Sequence, residues 1–407
     1  MKHETPQPTG PLRGLRVLEL GHYVSAPFCT RLLADLGAEV IKVEQPEGGD
    51  PMRANGKQVN GRSLWWSSLS RNKKLVTLDL RQPQGQELAR ELIAKCDVVV
   101  ENFRAGQLEK WNLGWDAIQS INPATVLVRI TGFGQNGPYS DRVCFAPIAE
   151  AAGGLTYVTG VEGGTAPVRP NISLGDSITG LNAFGMLLAA IYERDSGGTG
   201  RGRCIDISMV ESVFAMTEAA VTEYGKLDVV RAPSASTVVF APSASFRARD
   251  GAWVYVTASG NAPFQRLARA MNRPELIIDP RFIENTDRVA NKAAMEAIIG
   301  AWVGELHADE VERRLNVASV PASKVYSMAD CAHDPHYAAR GSVLRVSDPH
   351  AGELLHPPTP AKFDTSGSQP HVAWTGGNIG AHNEEVYGDL LQVPASRMQE
   401  LTEAGVV

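Results

Sequence analysis

A single carboxylate, Asp176, lies where an apolar helix is predicted to begin, within the stretch Asn171-Ile-Ser-Leu-Gly-Asp-Ser-Ile-Thr-Gly180. Apolar residues follow it at helical spacing, at Leu181, Phe184, Leu187, Leu188 and Ile191. An aspartate in this position can cap the first turn of the helix. It can also be a nucleophile that the helix dipole keeps ionised by lowering its pKa. The pattern leaves both interpretations open, and the helix cap is the commoner one.

Alternating strands and helices are predicted to position this residue. The predicted strands are 14–20, 39–44, 75–80, 97–100, 125–130 and 204–208. The first helix begins at Ser25-Ala-Pro27, carries Phe28, Leu32 and Leu36 on one face, and ends at Gly37. Strand–helix alternation of this kind indicates an α/β fold with a parallel sheet covered on both faces.

The pattern changes after about residue 227. Asp250-Gly251 stands between two short strand patterns and predicts a β-hairpin. Helices are predicted at 291–306 and 308–315. These elements indicate a small α+β domain at 228–327, and a large domain made of 1–227 and 328–407. The tail, with Pro357-Pro-Thr-Pro360, is predicted to be mostly extended and loop-like.

Composition excludes several classes of protein. The 407 residues carry a net charge of −6, with 43% hydrophobic and 21% charged residues, which argues against a nucleic-acid partner. The five cysteines show no Cys-x-x-Cys spacing, and no histidine shows a metal-binding spacing, so we expect no metal site. No apolar run approaches the ~18 residues that span a bilayer. These features predict a soluble, cytoplasmic protein with no membrane partner.

Three polar segments could bind a ligand. The basic cluster Arg71-Asn-Lys-Lys74, with Arg81 nearby, could bind a polyphosphate, although a solvated face is the commoner reason for such a cluster. The segment Val100–Arg104 ends a predicted strand, where ligands of parallel sheets collect, but Phe103 could equally be a core residue. The glycine-rich loop 196–202 follows a helix and precedes a strand, so an ordinary turn is favoured over a phosphate loop.

Motifs in a fixed order identify a family resemblance. They are Leu12–Leu20, Leu33–Glu44, Gly49–Arg53, Arg71–Leu80, Glu101–Gly106, Gly132–Pro138, Gly175–Ser177, Thr199–Arg203, His333–His336 and Ala339–Gly341. The chain resembles the family III CoA-transferases, the formyl-CoA transferase and carnitine CoA-transferase group, which also contains the α-methylacyl-CoA racemases. The resemblance runs from about Leu12 to Phe363.

This resemblance implies a fold, a partner and a reaction. The fold is a Rossmann-like large domain with a smaller domain, in an interlocked homodimer. The substrates are an acyl-CoA and a small carboxylic acid, and no cofactor is tightly bound. Asp176 is the nucleophile that attacks the acyl-CoA thioester, giving an acyl–aspartyl anhydride and then an aspartyl-CoA thioester. Conserving the thioester energy in this way agrees with the lack of an ATP-binding P-loop motif.

The resemblance also implies a set of CoA-binding residues. They are Val24, Ser25, Gln45, Leu78, Leu80, Arg81, Asn102, Phe103, Arg104, Lys110, Cys144 and Phe145. Several positions depart from the formyl-CoA transferases: Lys110 replaces an arginine, Gln45 a basic residue, Val24 a glutamine and Ala146 an acidic residue. Thr237–Ala241 replaces a glycine run. These departures disfavour oxalate as the acceptor.

Two other activities stay open beside CoA transfer. A racemase of this family uses a histidine near Cys144–Ala146 to move an α-proton, whereas this chain has Phe145, and no second base is evident there. A non-catalytic CoA-binding protein is the other alternative. Arg169 and Arg247 could hold a second substrate carboxylate, which suggests a dicarboxylic acceptor and succinyl-CoA as donor, although surface charge explains both arginines almost as well.

Overall fold

The computed structural model describes residues 10–160, 164, 166–234, 239–363 and 370–407. The chain forms two compact units: one contains residues up to 156 together with 169–227 and 339–407, and the other contains 157–168 and 228–338. The boundary at 227 agrees with the predicted one, whereas 157–168 and 328–338 belong to the second unit. The predicted division into two domains therefore stays a prediction.

Thirteen strands and seventeen α-helices occur in the described residues. The strands are β1 (Arg16–Glu19), β2 (Glu39–Glu44), β3 (Gln58–Val59), β4 (Arg62–Ser63), β5 (Lys73–Thr77), β6 (Val98–Glu101), β7 (Val126–Thr131), β8 (Cys204–Ser208), β9 (Ser243–Arg247), β10 (Trp253–Thr257), β11 (Ala322–Lys324), β12 (Leu344–Asp348) and β13 (Gly352–His356). The helices are α1 (Ser25–Asp35), α2 (Leu64–Leu69), α3 (Pro83–Ile93), α4 (Gln107–Lys110), α5 (Trp115–Ile121), α6 (Ala146–Ala152), α7 (Leu155–Val158), α8 (Leu174–Asp195), α9 (Met209–Phe214), α10 (Ala220–Leu227), α11 (Asn261–Ala270), α12 (Asn285–Ala290), α13 (Lys292–Gly304), α14 (Ala308–Val317), α15 (Met328–His333), α16 (Pro335–Ala339) and α17 (Ala395–Glu403). Two 3₁₀ segments, Pro51–Ala54 and Pro274–Ile277, and a π-helical segment, Glu384–Leu390, complete the elements.

The first unit is built on a six-stranded sheet in the order β5-β2-β1-β6-β7-β8. All five neighbouring pairs in this sheet are parallel, which confirms the predicted α/β fold. Strands β2 and β8 have the predicted bounds, and β1, β6 and β7 lie within one or two residues of them. The glycine-rich loop 196–202 connects α8 to β8, as an ordinary turn does.

Apolar side chains cover both faces of this sheet. On one face, Leu88 and Leu92 of α3 pack in a cluster with strand residues such as Val99. On the other face, Leu33 of α1 and Leu187 of α8 pack in a second cluster. A parallel sheet needs this double cover because both of its faces are apolar.

The prediction of a mostly extended, loop-like tail holds for the described residues of 357–382, which contain no helix or strand, but is wrong for the rest. The tail contains the hairpin β12–β13 before Pro357, and the π-helical segment and α17 after it. Val386, Tyr387 and Leu401 are buried in the core of the first unit, and the Tyr387 hydroxyl donates a hydrogen bond to the Thr77 carbonyl at 2.7 Å. The buried apolar residues of the tail are separated by many polar residues, so the sequence shows no clear helical pattern there.

Both interpretations of the basic cluster at 71–74 are also wrong. Arg71 is fully buried against Asp35 of α1, and Lys73 is fully buried against Glu19 of β1. Lys74 pairs with Glu39 at 2.5 Å and with a carboxylate of the tail. These cations are neither solvated nor free for a phosphate, because β5 begins at Lys73 and brings them beside acids of neighbouring elements.

The second unit has its own sheet, with β10 at the centre between β9 and β11. β9 and β10 are antiparallel and are joined through Asp250-Gly251, where Gly251 has a φ of 84°, so the predicted hairpin is confirmed. Helices α13 and α14 confirm the two helices predicted here. The segment 237–241 lies in part outside the described residues.

Helix α8 is long and apolar enough to cross a membrane when judged by length and composition alone. Buried helices of soluble proteins pass the same test, and α8 packs in one apolar cluster with α1, α6 and α9. Its exposed residues include Leu181, Met186 and Tyr192. The helix therefore packs in the core of the first unit and leaves several large apolar side chains exposed.

Candidate active site

Asp176 is the third residue of α8 and does not cap it. Ser173 occupies the position before the helix and makes no capping hydrogen bond with its side chain. Among the described residues, no hydrogen bond or ion pair to the Asp176 carboxylate is found. The interpretation of Asp176 as a helix cap is therefore wrong, and the half-buried carboxylate has no partner among the described residues.

A second carboxylate, Glu150, lies beneath the start of α8. It is on α6 and is completely buried. Its Oε1 accepts the Gly175 backbone N–H at 3.0 Å, and its Oε2 accepts Nε of Arg169 at 2.9 Å. A Cβ on Gly175 would lie 3.2 Å from the Ala146 carbonyl oxygen, so glycine permits the close approach of α8 to α6. Glu150 thus fixes the backbone beside Asp176.

The pKa of Asp176 is raised to about 7, first by burial and then by the negative charge of Glu150. The sequence-based expectation of a lowered pKa is therefore wrong. A helix terminus contributes only about 0.3–1 kcal/mol to a nearby charge at a surface. Burial and a like charge together exceed that contribution here, because both penalise the ionised carboxylate.

Asp176 opens into a cavity of about 560 Å³ in the first unit. Of the sequence-predicted site residues, eight line this cavity together: Val24, Ser25, Asn102, Phe103, Arg104, Cys144, Phe145 and Asp176. They come from the loop after β1, the loop after β6, the segment between β7 and α6, and the first turn of α8. The loops after β1, β6 and β7 follow the carboxyl ends of neighbouring parallel strands, where ligands are expected.

Asn102 joins two of these loops. Its side-chain Nδ2 donates to the His22 carbonyl at 2.8 Å and to Oγ of Ser25 at 3.1 Å, and its Oδ1 accepts the His22 N–H at 2.8 Å. Both amide hydrogens of Asn102 are therefore used within the protein. This residue shapes the cavity wall by holding the loop after β1.

Aromatic rings form part of the cavity wall. His22 and Phe103 meet edge to face with centroids 5.3 Å apart, and Phe103 meets Trp111 in the same way at 5.0 Å. Tyr23 and Phe145 form another such pair at 5.8 Å. Phe103 thus both lines the cavity and packs against the core, so its two sequence-based interpretations hold together.

The other five predicted CoA-binding residues do not line this cavity. Leu78 and Leu80 have side chains buried in the core, whereas Arg81 is 71% exposed and paired with Asp79. Lys110 is exposed at the end of α4, and Gln45 has a buried Oε1. A role for these five in CoA binding stays a prediction.

Sequence reasoning missed several residues of the site. His22, Tyr23, Met52, Trp65 and Arg142 line the cavity, and Glu150 supports it. Glu150 could have been noticed because it is the one acidic residue in the otherwise apolar run Ala146–Ala152. Arg169, predicted as a possible substrate contact, instead pairs with Glu150. Arg247 lies on β9 of the second unit.

The family model of "CoA-transferase family III" matches residues 12–383. The chain belongs to this family. It is 41% identical to the succinyl-CoA–D-citramalate CoA-transferase of Chloroflexus aurantiacus over 388 residues, which is 95% of each chain. It is 39% identical to the beta subunit of the succinyl-CoA–L-malate CoA-transferase of the same organism, with 98% of each chain covered. The chain is therefore a CoA-transferase that acts between acyl-CoA thioesters and organic acids.

The structure is also similar to a crystal structure of a CaiB/BaiF family protein from Brucella suis. The TM-score is 0.82 with 29% identity, and the match covers 94% of this chain and 100% of that one. Among the described residues of the CoA-transferase, no group of three or more His, Cys, Asp or Glu side chains is placed to hold a metal ion.

Proposed function

We propose that this family III CoA-transferase moves CoA from succinyl-CoA to a short dicarboxylic acid, with Asp176 as the nucleophile. The observation that carries the proposal is the Asp176 carboxylate, which lies unpaired at a cavity that eight of the predicted site residues share. A carboxylate held by a hydrogen bond or ion pair would first have to break that contact before it could attack. Asp176 makes no such contact with the part of the chain that the structure describes.

The proposed reaction exchanges one acyl bond at a time. A carboxylate oxygen of Asp176 attacks the thioester carbonyl, the C–S bond breaks, and an aspartyl–succinyl anhydride and CoA thiolate form. The thiolate attacks the aspartyl carbonyl and releases succinate, leaving an aspartyl-CoA thioester. The acceptor carboxylate then displaces the thiolate to give a second anhydride. The thiolate finally attacks the acceptor carbonyl, which releases the new acyl-CoA and restores Asp176.

The charges of the cavity support an anionic substrate. Arg104 and Arg142 line it, and among the described residues neither guanidinium forms an ion pair with a carboxylate. CoA carries phosphates, and arginine binds phosphate and carboxylate groups through two parallel hydrogen bonds. Because the whole protein has a net charge of −6, these local cations supply the attraction that the overall charge does not.

The proposed donor and acceptor come from the relatives. Two of them are named for succinyl-CoA as donor and for D-citramalate or L-malate as acceptor. Both acceptors and succinate are short dicarboxylates, so one carboxylate can react while the other stays charged. The departures at Val24, Ala146 and 237–241 from the pattern of formyl-CoA transferases point in the same direction, away from oxalate.

A homodimer in the cytoplasm is proposed as the working form. Large apolar side chains are exposed on three helices of the first unit, among them Tyr192 on α8 at 71%, Phe214 on α9 and Tyr224 on α10. Apolar side chains that form a contiguous exposed patch mark an interaction site, and the family resemblance implies an interlocked second copy. The five cysteines are free thiols.

Trapping the covalent intermediate tests the nucleophile directly. We expect borohydride, added to enzyme incubated with succinyl-CoA, to reduce the activated Asp176 side chain to the alcohol of homoserine. Peptide mass spectrometry should find this change at Asp176 and nowhere else, and enzyme without succinyl-CoA should show none. An unmodified Asp176 peptide, combined with exchange of the substrate α-proton into deuterated water without an acceptor, would instead favour the racemase.

A pH profile tests the raised pKa. Only the ionised carboxylate attacks, so transfer by the natural enzyme should fall as the pH drops below about 7. Glu150→Gln removes the like charge and keeps an oxygen for the Gly175 N–H. The pKa of Asp176 should then decrease, and the acidic limb of kcat/KM should move to lower pH. It should stay above the ordinary range of aspartate because the burial remains.

The control for this variant is Glu193→Gln. Glu193 is on the same helix but is exposed and pairs with Arg203 far from Asp176 along α8. Substitution of Glu193 should leave the pH of the acidic limb of kcat/KM unchanged. An acidic limb that moves upward in Glu150→Gln, or moves equally in both variants, would contradict the assignment of Glu150 as the charge that raises the pKa of Asp176.

A further inference from the structure

Arg142 is a guanidinium of the cavity that has no acid partner in the described ranges of the chain. It lies in the segment between β7 and α6, and its Cζ stands 3.4 Å from the ring centroid of Tyr139. Among the described residues, no carboxylate pairs with it. Stacking on an aromatic ring leaves the edge of the guanidinium plane available, which is the edge that binds carboxylates through two hydrogen bonds.

The segment that contains Arg142 lines the same cavity as the proposed nucleophile, Asp176. Residues 142–147 line the same cavity as Asp176 without interruption. Burial and then the charge of Asp176 raise the pKa of the Cys144 thiol to about 11, so Cys144, two residues after Arg142, is within reach of the field of Asp176. A Cβ on Gly132 would lie 2.1 Å from the Cβ of Cys144, so this segment is held tightly against the end of β7.

Two other arginines near Asp176, Arg169 and Arg104, are assigned to other contacts. Arg169 is neutralised by Glu150. Arg104 follows Asn102 and Phe103 in the loop after β6, which is a CoA-binding segment by the family resemblance. A dicarboxylate brings a second negative charge into the cavity, where the like charge of Asp176 disfavours it. Among the described residues that line the cavity, Arg142 is the arginine that neither an acid partner nor the family resemblance assigns to another role.

We propose that Arg142 is the specificity-determining residue that binds the non-reacting carboxylate of the dicarboxylic substrate. This inference rests on the proposed function and adds the residue that would select dicarboxylic over monocarboxylic acids. Arg142 does not take part in bond formation. It holds the distal carboxylate so that the reacting one faces Asp176, and it supplies little to an acceptor that has no second charge.

The test compares two acceptors of equal chain length, glutarate and valerate, with succinyl-CoA as donor. In Arg142→Gln, kcat/KM for glutarate should fall about 10- to 100-fold, as expected when a charge-assisted bidentate contact is lost. The value for valerate should change by less than about threefold. Arg142→Lys should recover part of the glutarate rate, because the charge remains without the fork. Arg269→Gln is the control for loss of a positive charge, because Arg269 of α11 is exposed and forms no ion pair with any described residue.

Calorimetric titration of glutarate and valerate into CoA-bound enzyme adds a readout that does not need turnover. Weaker binding of glutarate alone in Arg142→Gln supports the inference. Equal losses for both acids, or a rise in the KM for every acyl-CoA donor, would overturn it, since the latter outcome assigns Arg142 to a CoA phosphate. If the natural enzyme transfers no CoA yet binds glutarate through Arg142, the proposed function fails and the carboxylate site stands.

Discussion

Replacement of Asp176 by asparagine is expected to lower the rate of CoA transfer by on the order of 1,000-fold or more. The amide has nearly the shape of the carboxylate but is a poor nucleophile, so neither anhydride nor aspartyl-CoA thioester can form at a useful rate. Asp176 has no hydrogen-bonding partner in the described chain, so the substitution leaves no buried group of the protein without its contact. The loss should therefore appear in kcat while the affinity for CoA is kept.

Asp195→Asn is the matched control because it places the same substitution on the same helix. Asp195 is exposed at the end of α8, where it pairs with Arg194. Initial rates with succinyl-CoA and glutarate, together with calorimetric titration of CoA, separate chemistry from binding. A variant at Asp176 that keeps more than about a tenth of the rate, or one that no longer binds CoA, would contradict the role given to this residue.

Most of the parallel sheet could be predicted because its strands carry their own signals. β2 and β8 are short apolar runs between turn residues, and their bounds are those predicted from the sequence. β5 was predicted two residues too late, since its first residues are lysines and a charged start is typical of a loop. Lys73 is in the strand because Glu19, 54 residues earlier, stabilises it there. The local sequence pattern cannot predict a contact between residues so far apart in the chain.

The candidate site was predictable to the extent that motifs mark it. Loops after β1 and β6 and the first turn of α8 carry recognisable motifs, and their predicted residues line one cavity. The pKa of Asp176 was predicted in the wrong direction because its main causes, burial and Glu150, arise only when α6 packs under α8. Arg142 was missed for a similar reason. The sequence does not distinguish an arginine in a polar segment from an ordinary surface arginine. Only the fold shows that, among the described residues, no carboxylate pairs with it.

A cluster of buried charged side chains supports the loop after β1, and its disruption is expected to destabilise the central sheet. Glu19 accepts hydrogen bonds from Lys42 and Lys73, each at 2.7 Å, and all three side chains are fully buried. Burial alone would raise the pKa of Glu19, but the charges and hydrogen bonds of both lysines outweigh it and lower the pKa. Lys42 also binds Asp50 at 2.8 Å and the Gly21 carbonyl at 2.8 Å. Glu19 therefore anchors the loop that carries His22.

The two lysines respond differently to this shared acid. Burial lowers the pKa of Lys73 to about 8, and the ion pair with Glu19 at 2.7 Å offsets only part of that effect. Lys42 has Asp50 as well, and its pKa is raised despite burial. Removing Glu19 would thus leave the buried Lys73 without the carboxylate that pairs with it. Lys73 would have to lose its proton or draw in water, and either change loosens β5 from β1 and β2.

Glu19→Ala is accordingly expected to lower the stability of the central strands by about 3–5 kcal/mol, the usual cost of breaking a buried ion pair from one side. Hydrogen exchange of peptides from β1, β2 and β5 measures this loss as a free energy of opening, without assuming that both units unfold together. Glu39→Ala is the matched control, since Glu39 also bridges two cations, Arg16 and Lys74, but is 21% exposed. Its loss should cost less than the loss of Glu19, because water reaches Glu39 and its partners. Equal effects of the two substitutions would show that burial of the Glu19 cluster does not determine the stability of the loop that lines the active site.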